Sequence, residues 1–358
     1  MLVVNAGSSS LKLSLVDQRD ETLGEREIDA RGGQLDTAQL DGAIARLDGA
    51  DAVGHRIVHG GDRFTAPVLV DAHVESELRA LVELAPLHQT KSLAALDAVN
   101  AALPHLPAVA CFDTAFHACL PAAASTYALP AEWRARWPIR RYGFHGLSHG
   151  WVARRAAALT GNPDARIVSC HLGAGASLCA IAAGRSVDTT MGFTPLAGLV
   201  MATRSGSVDP GLVLWLTAPG RLPHATVEHG LEHESGLAGM TGSADMREIL
   251  TRTDPHARLA RDVYIHRLAG AIAAMAATMG GLDVLAFTGG VGTNAAVVRE
   301  LAVARLGFMG IELDHGRNRD AVADAEVGAD GALVRVFVLR AREDLEIARQ
   351  VRELLAAS

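Results

Sequence analysis

Two arginines, a histidine and an acid stand at the ends of predicted elements, where their side chains suit chemistry on anions. Arg56 ends a strand-like run before two glycines, and Asp113 follows an apolar strand. His145 precedes a predicted helix, and Arg204 lies in the loop MATRSGSVDPG. Each alone is more often a solvated loop charge or a satisfied core histidine, so the hypothesis depends on their number. Phosphoryl transfer needs this inventory, because cations and donors must balance the charge of a triphosphate and of the transferred group.

Three turns rich in glycine or serine are compatible with phosphates. The segment VVNAGSSSLK at 3–12 is a strand, a polar turn and a second strand, without the spacing of a P-loop. The segment IVSCHLGAGASLCAI at 167–181 repeats this design, and FTGGVGTNA at 287–295 follows an apolar strand and opens a helix. One such hairpin is more often an ordinary tight turn, but two copies a domain apart indicate a duplicated domain.

The third turn also has a competing interpretation. It matches GxGxxA from Gly290 to Ala295, and Glu312 follows about 20 residues later, as in a dinucleotide-binding fold. An NAD-dependent oxidoreductase is therefore an alternative. Too few residues follow Glu312 to build the second half of a Rossmann domain, however, so contact with a single nucleotide is favoured.

The elements that must position these residues alternate along the chain. The predicted strands are 2–4, 11–16, 52–58, 108–112, 166–172, 177–182, 284–288, 308–313 and 333–339. The predicted helices are 75–84, 92–103, 148–160, 243–252, 258–279, 294–306 and 343–356. This alternation predicts layered α/β domains with mainly parallel sheets. In the helix 148–160, Ser148 is expected to cap the start and Gly161 to take the left-handed position after the end.

Length, charge and cysteines set limits on the class of protein. A chain of 358 residues predicts roughly two domains. The net charge of −7, with no basic run, argues against nucleic acid or membrane as a partner. Cys111, Cys119, Cys170 and Cys179 lack metal-binding spacing and are expected to be reduced core thiols of a cytoplasmic protein. No signal peptide is predicted, and the apolar segment 268–282 is expected to be a buried helix.

Eight stretches, in their order along the chain, closely resemble the acetate kinase family, the acetokinases. They are VVNAGSSSLK, GHRIVHGG, CFDTAFH, YGFHGLSH, HLGAGAS, DTTMGFTPLAGL, TRSGSVDPG and FTGGVGTN, and the resemblance covers essentially the whole chain. The family belongs to the superfamily of sugar kinases, Hsp70 and actin. The resemblance therefore implies an α/β fold of two duplicated ribonuclease-H-like (actin-like ATPase) domains with a nucleotide cleft between them. The implied domains are 1–144 and 145–344, with the C-terminal helix 345–358 packing back on the first.

The resemblance implies a reversible phosphoryl transfer between ATP and acetate, giving acetyl phosphate and ADP, with Mg²⁺ or Mn²⁺ and in a cytoplasmic homodimer. The implied catalytic residues are Asp113, His145, Arg204 and Arg56. The two arginines would hold the carboxylate and the phosphoryl group, and His145 would stabilise the transition state. Because acetate is already ionised at pH 7, its attack needs no base. We therefore expect Asp113 to orient an arginine or a metal-bound water, although the family's acid is often described as an acid/base.

The remaining implied contacts fall into three groups. Arg56, Val58, Leu87, Phe144 and Pro195 would bind the substrate, the last four forming a pocket for the acyl methyl group. The nucleotide would contact Ser8, Ser10, Lys12, His171, Gly173, Gly175, Asp245, Met246, Arg247, Gly290, Val291, Gly292, Thr293 and Asn294. The metal would lie by Asn5 and Glu343.

Several positions depart from the family pattern. Ala174 replaces the asparagine of HLGNGAS, and the loss of a hydrogen bond to a charged phosphate costs about 1.5–3 kcal/mol. The sequence thus leaves open whether ATP or a different molecule is the phosphoryl donor. Ser207 and Thr293 replace acidic residues, HQTKS replaces the motif HNP, and RARED around Glu343 replaces TNEE.

Two further alternatives remain. Propionate competes with acetate, since one methylene in an apolar pocket changes binding by roughly 1–3 kcal/mol. An actin- or Hsp70-like nucleotide switch would turn over ATP without any carboxylate.

Overall fold

Two six-stranded sheets form the framework of the molecule. A computed structural model describes residues 1–7, 10–29, 37–47 and 49–357, without the side chains of residues 37, 38 and 86–88. The strands of the first sheet are β1 Leu2–Ala6, β2 Ser10–Val16, β3 Thr22–Asp29, β4 Val53–Ile57, β5 Val68–Leu69 and β6 Ala108–Phe112. Those of the second are β7 Ile167–Leu172, β8 Ala176–Ala182, β9 Arg185–Thr189, β10 Val284–Thr288, β11 Ala325–Glu326 and β12 Arg335–Val338.

Helices connect and cover these strands. The α-helices are α1 Thr37–Ala45, α2 Ala72–Ala80, α3 Pro86–Ala102, α4 Ala122–Ser125, α5 Ala131–Arg136, α6 Gly146–Thr160, α7 Pro210–Leu216, α8 His224–His233, α9 Gly236–Thr241, α10 Met246–Thr251, α11 Pro255–Thr278, α12 Gly289–Asn294, α13 Ala296–Val303, α14 His315–Arg319 and α15 Glu343–Ala357. Short 3₁₀ helices span Leu81–Leu84, Ala115–His117 and Gly307–Met309. In the part of the chain that the structure describes, no helix has the length and apolar character to cross a membrane.

The two sheets share one topology, which confirms the predicted duplication. The first has the order β3-β2-β1-β4-β6-β5, and the second, taken from its other edge, has β9-β8-β7-β10-β12-β11. In each, the first three strands form an antiparallel meander, and the next two strands across the sheet are parallel to the first strand of that meander, β1 or β7. A short antiparallel strand, β5 or β11, completes the far edge. The prediction of mainly parallel sheets is therefore wrong, and the sheets are mixed.

Four edge strands, β3, β5, β9 and β11, explain this error, because each pairs antiparallel with its neighbour. They were not predicted because an edge strand lacks the apolar pattern of a central one, and β3 is exposed at most of its positions. The turn into β9 is formed by Ala183 and Gly184, both with positive φ, at 48° and 71°. Such a two-residue turn matches the twist of a hairpin.

Two other local predictions are also wrong. The segment 308–313 was expected to be a strand, but it contains a 3₁₀ turn and two isolated bridges, from Ile311 to Val334 and from Leu313 to Gly328. Gly310, with φ 75°, breaks the extended conformation there. Helix α6 begins at Gly146, so Ser148 lies inside the first turn and is not the cap. Gly161 takes the expected left-handed conformation, with φ 67°.

Contacts divide the chain into two units. Unit 1 comprises Met1–Ala118, Phe144–Trp151 and Arg342–Ser358, and unit 2 comprises Cys119–Gly143 and Val152–Ala341. In unit 1, side chains of α1 and α3 pack on one face of the sheet, and α15 packs on the other. In unit 2, buried residues of the long helix α11 include Leu268 and Ile272, as expected for the apolar segment.

The cysteines are all free thiols. Three are buried, but Cys119 is exposed, so its assignment to the core is corrected. Burial raises the pKa of the other three thiols above the usual range.

Candidate active site

The carboxyl ends of three adjacent parallel strands place polar side chains together in unit 1. Asn5 stands near the end of β1, Arg56 near the end of β4, and Asp113 directly after β6. The strands lie side by side in the order β1-β4-β6. The Asp113 backbone N–H donates to the Ile57 carbonyl at 3.0 Å, which continues the ladder past the last strand residue. Open α/β sheets bind ligands at this edge.

The guanidinium of Arg56 is held on two sides. Its Nε donates to Asp113 Oδ1 at 3.0 Å and its Nη2 to Asp113 Oδ2 at 2.7 Å, in a fork. Its Nη1 donates to Asn5 Oδ1 at 3.0 Å and lies 3.7 Å from Glu343 Oε2. Asn5 Nδ2 in turn donates to Glu343 Oε2 at 2.8 Å, at the first residue of α15. The structure thus brings together four residues predicted from distant segments.

Burial and charge act against each other in this cluster. The side chains of Arg56, Asp113 and Glu343 are 14%, 2% and 12% exposed. Burial opposes the charge of Arg56, but Asp113 and Glu343 outweigh it and raise the pKa of the guanidinium above its usual value. Burial also raises the pKa of Asp113, while the charge and hydrogen bonds of Arg56 and the backbone N–H of His145 oppose this rise.

His145 occupies a strained position beside this cluster. Its φ is 58°, in the left-handed region that residues other than glycine rarely adopt. The next residue, Gly146, donates to the Asp113 carbonyl at 2.8 Å, and a Cβ there would lie 2.2 Å from that oxygen. The preceding carbonyl, of Phe144, lies 3.0 Å from Nε2 of the buried His117. Since burial lowers the pKa of His117 to about 4, its ring is neutral at pH 7 and donates through Nε2.

The predicted acyl-pocket residues are placed in part. Val58 and Phe144 are buried in unit 1, where the ring of His59 meets Phe144 edge-on at 5.4 Å. The Leu87 side chain lies outside the described residues. Pro195 belongs to unit 2, where its carbonyl accepts from Arg204.

The first phosphate turn joins β1 and β2. Gly7 donates to the Ser10 carbonyl at 2.8 Å, whereas Ser8 lies outside the described residues. Lys12 is exposed and pairs in register with Asn5. Directly opposite residues share a sheet face, so the Lys12 ammonium is on the same face as the Asn5 amide.

In unit 2, Arg204 is largely buried beside an acid that sequence reasoning missed. Arg204 Nη1 donates to the Pro195 carbonyl at 2.9 Å, and its Nε lies 3.9 Å from Glu232 Oε2. Burial lowers the pKa of Arg204 and raises that of Glu232, each partly offset by the charge of the other. Glu232 stands in α8 among polar residues, HATVEHGLEH, and nothing in that pattern distinguishes it.

The second phosphate turn lies between β7 and β8. Gly173 donates to the Gly175 carbonyl at 3.0 Å, and His171 is the penultimate residue of β7. Ala174, where the family pattern has asparagine, is exposed, and its carbonyl accepts from the Ala202 N–H at 3.0 Å. The loop that carries Arg204 is therefore tied to this turn.

The third turn lies beside the second. In the ladder between β7 and β10, Thr288 pairs with His171. Gly289, with φ 77°, begins α12, and a Cβ there would lie 2.6 Å from the Leu172 carbonyl oxygen. The predicted residues Gly290, Val291, Gly292, Thr293 and Asn294 form this helix.

The other predicted nucleotide residues surround the start of α10. Asp245 caps the helix by accepting from the Arg247 N–H at 2.9 Å, and its carboxylate pairs with the exposed Arg247 guanidinium at 2.7 Å. Met246 is buried in the core.

Comparison with known proteins gives consistent results. The model of the Acetokinase family matches residues 28–349. The acetate kinase of Deinococcus deserti is 43% identical, over 99% of this chain and 98% of its own. That of Streptomyces coelicolor is 41% identical, over 100% and 97%. Among solved structures, a propionate kinase from Francisella tularensis has a TM-score of 0.90 at 32% identity, covering 98% of each chain. Porphyromonas gingivalis acetate kinase has a TM-score of 0.88 at 33% identity, covering 99% of each.

Proposed function

The chain belongs to the acetokinase family, and from this membership we propose that it transfers a phosphoryl group reversibly between ATP and acetate, giving acetyl phosphate and ADP. It is a phosphotransferase whose acceptor is a carboxyl group. Relatives named acetate kinase and propionate kinase favour this function over the dinucleotide-dependent oxidoreductase and over the nucleotide switch.

The observation that carries the proposal is the fixed guanidinium of Arg56. Asp113 and Asn5 engage its Nε and one N–H of each terminal nitrogen. A guanidinium has five N–H donors, and the other two make no hydrogen bond within the described part of the chain, so they suit a substrate oxygen. Arginines oriented in this way bind carboxylate and phosphoryl oxygens with defined geometry. Because acetate needs no base to attack, we assign Asp113 the task of orienting Arg56.

Arg204 and His145 complete the set that would act on the transferring group. Among the described residues, Arg204 has one hydrogen bond, to a backbone carbonyl, and Glu232 lies 3.9 Å away without closing a fork. Its remaining donors suit a group on which negative charge develops. The backbone at His145 is held by bonds on both sides, which supports a fixed direction for its ring.

The residues at the proposed metal position fit Mg²⁺ or Mn²⁺. Glu343 offers carboxylate oxygens, the hard ligands that Mg²⁺ prefers. Asn5 Oδ1 accepts from Arg56 and its Nδ2 donates to Glu343 in this structure, so the amide would turn to add its oxygen to the metal. Mg²⁺ is commonly held by one or two carboxylates and by substrate phosphates, and it would neutralise charge on those phosphates. We propose that Asn5 and Glu343 hold it.

Propionate is the second candidate substrate. A structural neighbour at 32% identity is named a propionate kinase, and Val58 and Phe144 offer an apolar wall in unit 1. One additional methylene in such a pocket changes the selectivity by about 1–3 kcal/mol.

A trapping experiment tests the proposed function. The protein is mixed with Mg-ATP and each of a series of one- to five-carbon carboxylates, and acyl phosphate is captured as the hydroxamate with hydroxylamine. We expect the most hydroxamate from acetate or propionate. Hydroxamate from none of the acids, with ATP as donor, contradicts the proposal. Because Ala174 replaces an asparagine, GTP and pyrophosphate are included as donors. Activity with these donors alone would show that the proposed acceptor is right and that ATP is the wrong donor.

We also propose a cytoplasmic homodimer. The four free thiols are typical of a reducing compartment. Helix α7 exposes Leu212, Leu214 and Trp215 together, at 46%, 72% and 55%. Adjacent exposed apolar side chains of this size mark association surfaces, and we place the dimer contact on this helix.

A further inference from the structure

Arg299 is the largest fully buried side chain of the described residues, and no motif pointed to it. It lies in α13 and is 1% exposed. Its Nη1 donates to the carbonyls of Gly292 at 2.9 Å and Thr293 at 2.8 Å. Its Nε and Nη2 donate to the side-chain and backbone oxygens of Asn318, at 2.7 and 2.6 Å. One guanidinium thus links α12, α13 and α14.

This cation has no carboxylate partner among the described residues. All four acceptors are neutral oxygens, and no salt bridge includes Arg299. Burial lowers its pKa to about 10, so the group still carries its charge at pH 7. Buried charges are usually paired, because desolvation is unfavourable. Packing alone therefore does not explain why a charged arginine, bound only to carbonyl oxygens, occupies this buried position.

The two carbonyls on Nη1 give that reason. They belong to the last turn of α12, where a cation also interacts favourably with the free carbonyls of the helix end. The opposite end of α12 lies against the end of β7, just before the second phosphate turn, since a Cβ on Gly289 would lie 2.6 Å from the Leu172 carbonyl oxygen. Gly290 has open space around the position of a Cβ, so a ligand can approach its backbone. Arg299 therefore holds the C-terminal end of α12 through its carbonyls, and the backbone at Gly290 stays accessible to a ligand.

We propose that Arg299 is a positioning residue for the nucleotide. Its guanidinium holds α12, which contains Gly290–Asn294, in the conformation that receives ATP, without touching the ligand itself. This inference rests on the proposed use of ATP by the chain, and it assigns the effect to the nucleotide and not to the carboxylate.

The test compares three variants by steady-state kinetics, by calorimetric binding of Mg-ADP and by thermal melting. Arg299→Met removes the donors at similar length. Arg299→Lys keeps the charge and can bond one of the two carbonyls. Arg305→Met is the matched control, because it removes the charge of an exposed arginine just beyond the same helix. For Arg299→Met we expect the KM for ATP and the Kd for ADP to rise about tenfold or more, with the KM for acetate changed less than about twofold.

The lysine variant should lie between the native protein and Arg299→Met, and Arg305→Met should match the native protein. A role in stability alone would lower the melting temperature and leave the KM for ATP unchanged, which overturns the proposal. Equal rises in KM for ATP and acetate also overturn it. If Arg299→Met does not fold, Arg299→Lys tests the proposal instead. The proposal then requires the Kd for ADP of Arg299→Lys to be about threefold or more above that of the native protein. Binding of Mg-ADP is measured without any carboxylate, so a native protein that binds ADP but forms no acyl phosphate refutes the proposed function and not this inference.

Discussion

At the scale of single residues, the cluster around Arg56 is a chain of mutual restraints. Asp113 holds two nitrogens of the guanidinium, and Asn5 joins the third to Glu343. Each side chain comes from a different element, and each limits the rotation of the next. This arrangement suits a site where an arginine must be immobile before two anions are brought together. It supports the proposal that Asp113 orients Arg56 without transferring a proton.

Replacement of Asp113 tests that task. In Asp113→Asn the fork to Arg56 loses its charge, and we expect kcat/KM for acetate to fall about a hundredfold or more. The pH profile of the residual activity should keep the native shape, because no proton passes through residue 113. The measurement is the rate of hydroxamate formation from pH 5.5 to 9. Near-native turnover would contradict every role for this acid, and loss of a limb of the profile would favour acid/base chemistry.

At the scale of elements, glycines permit the close contacts that position the site. Gly54 lies in β4, two residues before Arg56, and a Cβ there would lie 2.5 Å from Ile347 Cγ2 and 2.9 Å from Val351 Cγ2. Helix α15 therefore rests directly on the strand. The same helix begins with Glu343, so the packing of its apolar face sets the position of a site carboxylate.

Gly54→Ala tests this packing. We expect the free energy of unfolding in urea to fall by about 1–3 kcal/mol, because the added methyl overpacks a closed core. The additional change Ile347→Ala removes the opposing Cγ2, so it should cost less in the Gly54→Ala background than in the native one. A destabilisation by Ile347→Ala that is equal in the two backgrounds would show that the two residues do not interact.

Much of this element plan could be predicted from the sequence. The central strands and the long helices follow from apolar runs and from turn residues such as Gly161. The four edge strands β3, β5, β9 and β11 were not predicted, because β5 and β11 have only two residues each and the exposed positions of β3 leave no apolar period. Helix α7 was missed because its seven residues, PGLVLWL, are apolar almost throughout and show no period of 3.6. Likewise, Arg56 and Arg204 stand in recognisable motifs, whereas Glu232 and Arg299 acquire their meaning only from residues distant in sequence. The roles of the site residues and the domain boundary at 144 stay predictions.

At the scale of the whole molecule, buried histidines couple stability to pH. His55, His59 and His117 are buried, and burial lowers the pKa of each to about 4. In the unfolded chain the value is about 6.5. Between these values the unfolded chain binds protons that the folded protein does not, so stability is retained above about pH 6.5 and lost as the pH falls towards 4.

Unfolding in urea at a series of pH values checks this linkage. Each histidine should add a slope of up to about 1.4 kcal/mol per pH unit between pH 6 and 4.5. His117→Gln should reduce the slope by up to about 1.4 kcal/mol per pH unit, which is the contribution of one proton. The control His256→Gln replaces an exposed histidine and should leave the slope unchanged. A free energy of unfolding that is constant or rises on acidification through this range would contradict the account.

The proposed dimer is also a property of the whole molecule. Leu214→Glu places a charge on the most exposed apolar side chain of α7, which is 72% exposed. We expect this variant to be a monomer by light scattering after gel filtration, because a buried unpaired charge is unfavourable at an interface. Leu23→Glu, at an exposed leucine of β3, is the control and should remain a dimer. A dimeric Leu214→Glu would place the contact elsewhere, and a monomeric native protein would refute the dimer.

The reverse reaction tests the central claim most directly. Acetyl phosphate and Mg-ADP are mixed with the native protein or with Arg56→Gln, and ATP is measured by its luminescence with luciferase. Arg56→Gln removes the guanidinium that Asp113 and Asn5 orient. We predict rapid ATP formation by the native protein and a loss of about a thousandfold or more in the variant. A native protein that forms no ATP, or a variant that forms it at the native rate, would contradict a carboxylate kinase built on Arg56.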